Sequence, residues 1–467
     1  MSKKKTNGEV FTPNEIIDFM LNKTYNPKTM DYILEPGCGD GRFIISIIKR
    51  IIEEFHDDNE IIDDKISKIY GIELDSKNYL ETLHNIEFFL SNYPLIRSRP
   101  IILNEDALLS EIHDSIKWSY IVGNPPYIRI HNLNSDYLNI LQDKYDYLKN
   151  GMVDLYYGFF ELHKKLHDDG VLCFITPSSY LYNTSGELLF NDLYNNRLLK
   201  NVVDFTSERM FENASTYTCV TTLQKNSQQF TYQKSNNEFN INFEKTIEFN
   251  IINNGFIDLI QNNVNNQSLF KDRYKVKTGF ATLLDKLFVI NQFVENDETI
   301  TFKKNKVEYT IEKSITKKCV KASKYNGHYH RVIFPYKNID GVNVPMTEGE
   351  LRDNYPLAFN YMFEYKDKLM LRDKGKIPED KWFLWGRTQG INKTYGSKVV
   401  ISPIYLSNPF IYFEEDVLVY SGYYIIVDCF DDIFTNEIFI NSLNSVSKPM
   451  AAGWKSLQKK ILDNVYL

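Results

Sequence analysis

What the chain lacks narrows its class before any motif is read. Its 467 residues hold five cysteines, Cys38, Cys173, Cys219, Cys319 and Cys429, with no Cys-x-x-Cys pair among them. An odd, scattered set argues against a disulfide framework and against a cysteine zinc site. A reducing, cytosolic compartment is the simplest expectation. No run of about 18 apolar residues occurs, so a membrane span is not expected. The basic start, Met1-Ser2-Lys3-Lys4-Lys5, is followed by no apolar signal core. No Walker A sequence follows a strand, which leaves an ATPase without its phosphate cradle. No internal repeat is found, which excludes solenoid and propeller architectures. What remains is an ordinary globular composition, 43% hydrophobic and 25% charged, on a chain long enough for two or three domains.

The net charge of −7 argues against a polyanion partner only until it is divided. Residues 261–467 carry 29 Lys and Arg against 24 Asp and Glu, a net of +5, which leaves 25 against 37, a net of −12, for residues 1–260. The densest basic stretch is 303–337, with Lys303, Lys304, Lys306, Lys313, Lys317, Lys318, Lys321, Lys324, Arg331 and Lys337. A polyanion would meet the C-terminal half first; a solvated, lysine-rich surface is the plainer alternative.

Between 31 and 225, short apolar runs alternate with amphipathic stretches. Tyr32-Ile33-Leu34, Lys68 to Ile72, Ile101-Ile102-Leu103, Tyr120-Ile121-Val122 and Val171 to Ile175 read as strands. Phe43 to Phe55 and Asp154 to His167 read as helices. Strands separated by helices imply parallel crossovers and an open α/β sheet, with ligands beyond the carboxyl ends of the strands. From Gln224 to Asn266 the chain turns polar, with room for a strand or two. Aromatic and β-branched segments return from about 268 without the βα alternation. Lys398 to Ile401 and Val417 to Val427 read as strands, and Asn436 to Leu443 as a helix. The expected organisation is a domain over 1–235, a polar connection over 236–267 and a mixed α/β domain over 268–467.

Glu35-Pro36-Gly37-Cys38-Gly39-Asp40-Gly41 joins the first strand to the first helix. Three glycines in five residues let the backbone turn sharply and approach a ligand, and the helix N-terminus that follows favours an anionic group. The G-x-G-x-G spacing is not that of dinucleotide proteins, and Glu35 can accept a hydrogen bond from a ligand amine. Glu73 ends the second strand, where an acid is placed to bind two ribose hydroxyls. Asp106 follows the third strand and can accept from an adenine amine. Each feature alone also fits a plain turn. Together they describe an adenosyl ligand with an amino-acid tail, the shape of S-adenosylmethionine.

Asn124-Pro125-Pro126-Tyr127 follows the fourth strand. Two prolines fix the turn and remove two backbone donors. The Asn124 side-chain oxygen and the Pro125 carbonyl can then hold both hydrogens of a planar amine, and Tyr127 offers a ring for a base to stack on. Taken alone, the four residues also fit a rigid turn with an aromatic cap.

With these motifs the sequence resembles the gamma-order, TaqI-type family of N6-adenine DNA methyltransferases. Gly8-Glu9-Val10-Phe11-Thr12-Pro13 matches the family's N-terminal motif, and Asp154 to Phe160 and Thr176-Pro177-Ser178 match its later scaffold motifs. The resemblance implies a Rossmann-like S-adenosylmethionine-dependent methyltransferase domain with a C-terminal target-recognition domain of mixed α/β type. It implies cofactor binding by Thr12, Pro13, Glu35, Pro36, Gly37, Cys38, Gly39, Glu73, Asp106 and Asn124, with S-adenosylhomocysteine as product and no metal. Catalysis falls to Asn124, Pro125, Pro126 and Tyr127, acting on an adenine flipped out of double-stranded DNA. Arg209 to Ala214 resembles the segment supplying a second ring against the base, which makes Phe211 the candidate, although an ordinary core role fits it as well. Tyr274 to Phe280 and Val399 to Pro403 resemble parts of the target-recognition region. Side-chain type singles out Arg273, Lys277, Arg387 and Gln389 as base readers. The sequence departs from the family at Glu35 and Gly37, where Asp and Ala are usual.

Other readings share parts of this pattern. Release-factor glutamine methyltransferases have the same N-P-P-Y, but they leave the basic C-terminal region without a task. RNA adenine methylation fits the motif equally. N4-cytosine enzymes usually carry Ser where Asn124 stands. A DNA-binding specificity subunit would have no use for an intact motif. Glu379-Asp380-Lys381 vaguely resembles a nuclease metal cluster and is read as a loop, which leaves room for a separate cognate endonuclease.

Overall fold

The computed structural model describes residues 11–149, 151, 153–205, 210–211, 217–249, 256, 269–323, 328–387, 389–391, 396–409, 411–427, 431–450 and 454–465. Of the motif expectations, Gly8 to Val10, Arg209 and Glu212 to Ala214 lie outside these residues, as do Lys324 and Cys429. The chain divides into two compact units between Asn262 and Asn263. Among the described residues, no helix is long and apolar enough to cross a membrane.

The first unit is built on a nine-stranded sheet. Its strands are β1 (Ile33–Pro36), β2 (Ile69–Ile72), β3 (Ile101–Leu103), β4 (Trp118–Gly123), β5 (Leu166–Pro177), β6 (Leu199–Asp204), β7 (Thr218–Gln224), β8 (Gln229–Ser235) and β9 (Ile241–Glu248), in the order β3-β2-β1-β4-β5-β7-β6-β8-β9. Strands β3 through β5 run parallel in that order, and β7 enters antiparallel between β5 and β6. The order reverses between β1 and β4, so the loops after these two strands open onto one crevice.

The helices follow from local pattern. In α2 (Arg42–Glu54), Phe43, Ile44, Ile47, Ile48 and Ile51 recur on one face and are all buried, which is the spacing of an amphipathic helix against a sheet. The helices α1 (Asn14–Thr24), α3 (Asn59–Ser67) and α4 (Ser76–Leu90) carry shorter versions of that stripe. Side chains alternating along β4 and β5 feed two cores. Ile121, Leu172 and Phe174 enter one, while Tyr120, Val122, Cys173 and Ile175 enter the other; this is the period-2 signature of a strand buried on both faces.

The expected helix over Asp154 to His167 is shorter than the sequence pattern suggested. After a short helix, Ile112–Ser115 (α5), and Ser135–Lys144 (α6), only Tyr156–Phe160 (α7) is α-helical. Glu161–Lys165 tightens into a 3-10 turn, and Leu166 already belongs to β5, where it pairs with Trp118. The sheet takes Leu166 because its ladder extends below Val171. The polar connection also holds a strand: β9 pairs antiparallel with β8 from Gln229↔Glu248 to Ser235↔Ile241.

The second unit is mixed α/β. One four-stranded sheet orders 277–278, 423–426, 398–401 and 411–414, and another orders 289–290, 330–333, 316–321 and 418–420. Helices over Glu348–Asn354 and Pro356–Glu364 pack on an aromatic core containing Phe288, Phe302, Tyr361, Trp382 and Trp385. The capping box of Thr347 and Glu350 starts the first of them. Glu437–Val446 is helical, and the stretch Val417 to Val427 resolves into two strands, Leu418–Tyr420 and Tyr423–Ile426.

Candidate active site

The loop from β1 to α2 takes its shape from glycine. Gly37 has φ +95° and Gly39 has φ +58°, conformations that side-chain-bearing residues rarely adopt. An alanine at position 37 would be strained there. The loop amides are nearly all engaged within the protein. Gly37 N–H and Cys38 N–H both donate to the Ile72 carbonyl, at 2.8 and 3.0 Å, and Gly41 N–H donates to Cys38 O. Gly39 N–H donates to Glu73 Oε2 at 2.8 Å. The loop therefore offers a close approach rather than a ring of free donors. The Cys38 side chain is buried among Ile44, Ile102 and other core residues, and Pro36 is buried as well.

Glu73 closes this arrangement. Its other oxygen accepts from Asp75 N–H at 2.8 Å, and Asp75 in turn caps α4 through Lys77 N–H and Asn78 N–H. Asp106 is held in the same manner. Its Oδ1 accepts from Leu108 N–H at 2.8 Å and its Oδ2 from the Tyr137 hydroxyl at 2.6 Å. A carboxylate has about four lone-pair sites, so each acid keeps acceptor capacity beyond these bonds.

One cavity of about 340 Å³ is lined by Gly37, Gly39, Glu73 and Asp106 from the first half of the sequence pattern and by Asn124, Pro125 and Pro126 from the second. It lies beyond the carboxyl ends of β1, β2, β3 and β4. Phe11, Leu74, Asp75, Asn78 and Tyr137 also line it, and none of them stood out as a site residue. Asp75 had a legible signal, since an Asp before a helix start is a capping pattern. Tyr137 had none.

Two further residues, Thr12 and Arg42, hold cavity-lining groups from behind. Thr12 is buried, and its hydroxyl oxygen accepts from Asn124 Nδ2 at 3.1 Å. With the amide nitrogen so occupied, the amide oxygen is the end left to accept. Arg42 donates to the Thr12 carbonyl at 2.7 Å and makes paired bonds to Asp40, while its guanidinium lies over the Phe11 ring. Residues 11–12 are thereby pinned to the glycine loop, and Pro13 precedes α1 as its cap residue.

Glu35 sits behind the loop, 3% exposed. Burial, reinforced by the neighbouring charges of Asp40 and Glu73, pushes its carboxyl well above the usual carboxylate range, against a smaller opposing pull from the Ile44 amide and Arg42. Among the described residues its Oε2 has no hydrogen-bond partner. Such a group is stabilised by any donor that reaches it. The acceptors Glu73 and Asp106, with Glu35 behind them, fit a molecule with hydroxyls, an amine on a ring and an amino group, within the volume range of small-molecule sites.

A folded-state pKa raised above the unfolded value means the native state binds the proton more tightly. Stability then falls as pH rises from the ordinary carboxylate range, about 4.3, through the folded pKa. Glu35→Gln is expected to flatten that slope and to raise the melting temperature of the ligand-free protein near neutral pH. Thermal denaturation across pH checks it, and identical slopes for the two proteins would rule the account out.

Tyr127 is half-buried beside the cavity rather than on its wall. Its hydroxyl donates to Ile175 O at 3.3 Å, its ring meets Tyr156 edge-on at 6.2 Å, and burial pushes its phenol pKa up. The structure does not bring Phe211 to it. Phe211 is 3% exposed and packs in the core that holds Phe205 and Val220, across the sheet from the core that Tyr127 borders. Its apolar ring is claimed by that core, in place of the expected stacking position.

In the second unit, the expected base readers have internal partners. Arg273 pairs with Asp431 at 2.6 Å, and Arg387 makes two 3.1 Å bonds to Asp373. Gln389 donates to Gly279 O at 3.0 Å, and Lys277 lies over the Tyr424 ring. Within the basic stretch, Lys313 and Arg331 share Glu295 and Lys337 pairs with Glu350, while Lys303, Lys306 and Lys318 are exposed. Glu379–Lys381 forms a 3-10 turn. Among the described residues, no group of His, Cys, Asp and Glu has metal-holding geometry.

Comparison with known proteins adds to this geometry. A family model described as Eco57I restriction-modification methylase matches residues 37–211. The type II restriction enzyme and methyltransferase RM.Eco57I of Escherichia coli is 24% identical over 68% of this chain and 36% of its own length. The type II methyltransferase M.BstVI of Geobacillus stearothermophilus is 27% identical over 45% of this chain and 41% of its own length. The chain thus spans well under half the length of these curated relatives. Among solved structures, the type IIL restriction-modification enzyme MmeI in complex with DNA superposes with a TM-score of 0.69, at 13% identity, over 99% of this chain and 69% of that one. The match shows that the chain shares its fold. The resemblance read from the motifs is thus met over residues 37–211, where the chain is similar to the Eco57I restriction-modification methylases.

Proposed function

We propose that the protein is a site-specific DNA methyltransferase that moves a methyl group from S-adenosylmethionine to N6 of a flipped-out adenine, within a restriction-modification system. The observation that carries this reading is the shared cavity. Asn124 and Pro125 line the same 340 Å³ space as Gly37, Gly39, Glu73 and Asp106. An amine gripped by the first pair therefore lies within reach of a ligand held by the others.

When bound, S-adenosylmethionine supplies an activated methyl group on sulfur, so neither a metal nor a strong base is required. Glu73 would hold the ribose hydroxyls, Asp106 the adenine amine and Glu35 the ammonium end. Asn124 Oδ1 and the Pro125 carbonyl accept the two N6 hydrogens of the target base, which draws that nitrogen toward tetrahedral geometry and aims its lone pair. Positioning of this kind accounts for much of the rate in reactions whose electrophile is already activated. Thr12 holds the amide in the required orientation. The second unit serves as the target-recognition domain, and exposed Lys303, Lys306 and Lys318 make phosphate contacts that weaken with salt. Arg273 and Arg387 read bases only by exchanging Asp431 and Asp373 for a base edge. The setting is the cytoplasm of a prokaryotic cell, with a separate cognate endonuclease as companion.

Calorimetric titration with S-adenosylmethionine, followed by methylation-sensitive sequencing of treated DNA, tests the reading. The expected result is saturable binding and N6-methyladenine in one sequence context. An absence of binding, or methylation of glutamine or RNA instead, would overturn it. Tyr127→Ala is expected to weaken capture of the flipped base by about 1–3 kcal/mol, the usual contribution of one base–aromatic stack. The fluorescence rise of 2-aminopurine at the target position should shrink with it; an unaltered rise would exclude the stacking role.

A further inference from the structure

Asp106 is not the only polar group at its part of the cavity. Tyr137 lines the same space from α6, thirty-one residues further along, and its hydroxyl donates to Asp106 Oδ2 at 2.6 Å. The loop that bears Asp106 is fastened by the same segment a second time, because the Tyr145 hydroxyl donates to Leu108 O at 2.6 Å. The carboxylate is thus fixed from two sides, by Leu108 N–H on one oxygen and by Tyr137 on the other.

A phenol has one proton to donate. Tyr137 gives its proton to Asp106, so any ligand atom meeting the Tyr137 oxygen must itself be a donor. An ionised Asp106 also only accepts. Burial and the adjoining carboxylate both push the Tyr137 pKa upward, which keeps the phenol protonated and the arrangement intact.

We propose that Tyr137 is a positioning residue for the cofactor's purine, which makes this part of the cavity select a ring carrying an amine over one carrying a carbonyl at the same place. The inference rests on the adenosyl reading above and adds to it a residue and a basis for discrimination. An amino-purine donates to Asp106 and to the Tyr137 oxygen. An oxo-purine turns a carbonyl toward two acceptors and leaves them unsatisfied, and sites built on hydrogen bonds reject such analogues strongly.

The test compares binding of S-adenosylhomocysteine with that of its hypoxanthine counterpart, S-inosylhomocysteine, by calorimetry on the full chain. The unsubstituted protein is expected to prefer the adenine form. In Tyr137→Phe the preference should fall by up to about tenfold, the worth of one hydrogen bond to a neutral oxygen. Most of the change should lie in weaker binding of the adenine form, while the ligand-free melting temperature falls with the lost bond to Asp106. A purely structural role would weaken both ligands together and leave the ratio alone, and an unchanged ratio overturns the inference. If Tyr137→Phe does not fold, the ratio in the unsubstituted protein decides, and equal affinity for the two ligands overturns the inference. Failure of the unsubstituted protein to bind either ligand would instead remove the cofactor reading itself, an outcome separate from an unchanged ratio.

Discussion

Asn124→Ala is expected to bind S-adenosylhomocysteine with ordinary affinity and to transfer methyl groups about a hundred- to a thousandfold more slowly, the range for removing one preorganised hydrogen-bonding group from a reacting centre. The separation follows from the geometry. Asn124 meets the cavity through its side chain, whereas the ribose and purine contacts proposed for the cofactor come from Glu73 and Asp106. Truncation removes the acceptor for the target amine and releases the Thr12 hydroxyl, which loses the 3.1 Å bond from Asn124 Nδ2. The loss should appear in kcat with little change in the KM for cofactor. Single-turnover transfer to a duplex containing the recognised site measures it, and near-normal turnover would remove Asn124 from the reaction.

Glu73→Ala should fail in the opposite way, at binding and folding together. Its carboxylate accepts from Gly39 N–H and Asp75 N–H, both at 2.8 Å, and it is 9% exposed. Removing it strips two donors of a charged partner, at about 1.5–3 kcal/mol for each such bond. It also frees the glycine loop on one side and the start of α4 on the other. Affinity for S-adenosylhomocysteine should drop by at least about a hundredfold, equivalent to two lost hydrogen bonds. Calorimetry and denaturant melts read the two losses. Weakened binding at undiminished stability would assign Glu73 to the ligand alone and refute its part in bracing the loop.

Much of the methyltransferase sheet was legible in the sequence. Strands β1 to β4 and the second half of β5 are short apolar runs that stop at Gly, Pro, Asn or an acid, and burial on both faces makes such runs continuous rather than alternating. The stretch from Asp154 misled because Leu155, Phe159, Leu162 and Leu166 keep helical spacing past the point where the helix ends. Nothing local marks where the 3-10 turn gives way to the ladder with Trp118. Residues 241–248 read as polar because β9 is the outermost strand of the sheet and mostly solvent-facing.

Site residues divide in the same way. Gly37, Gly39, Glu73, Asp106 and Asn124 were legible because each ends a strand or occupies a turn where its residue type has a purpose. Their partners were not. Glu73 bracing Gly39 spans 34 residues, Tyr137 on Asp106 spans 31, and Arg273 with Asp431 spans 158. A spacing pattern records neighbours on one element, not the meeting of two elements. Phe211 stood open between two roles, since an aromatic within a motif-like segment carries no mark that tells a stacking ring from a core ring, and its side chain packs in the core.

The bond between Thr12 and Asn124 joins positions 112 residues apart. The entropic cost of closing a loop of that length grows only slowly with its length, yet everything between must be in register before the two side chains meet: β1, the glycine loop, α2 through α4 and the β4 turn. The orientation of the amide thus depends on the joint placement of elements spread over 112 residues. A chain with its sheet formed but residues 11–12 undocked would have native secondary structure and an undirected Asn124. Methyl transfer would then report completion of folding, a stricter standard than compactness or helix content.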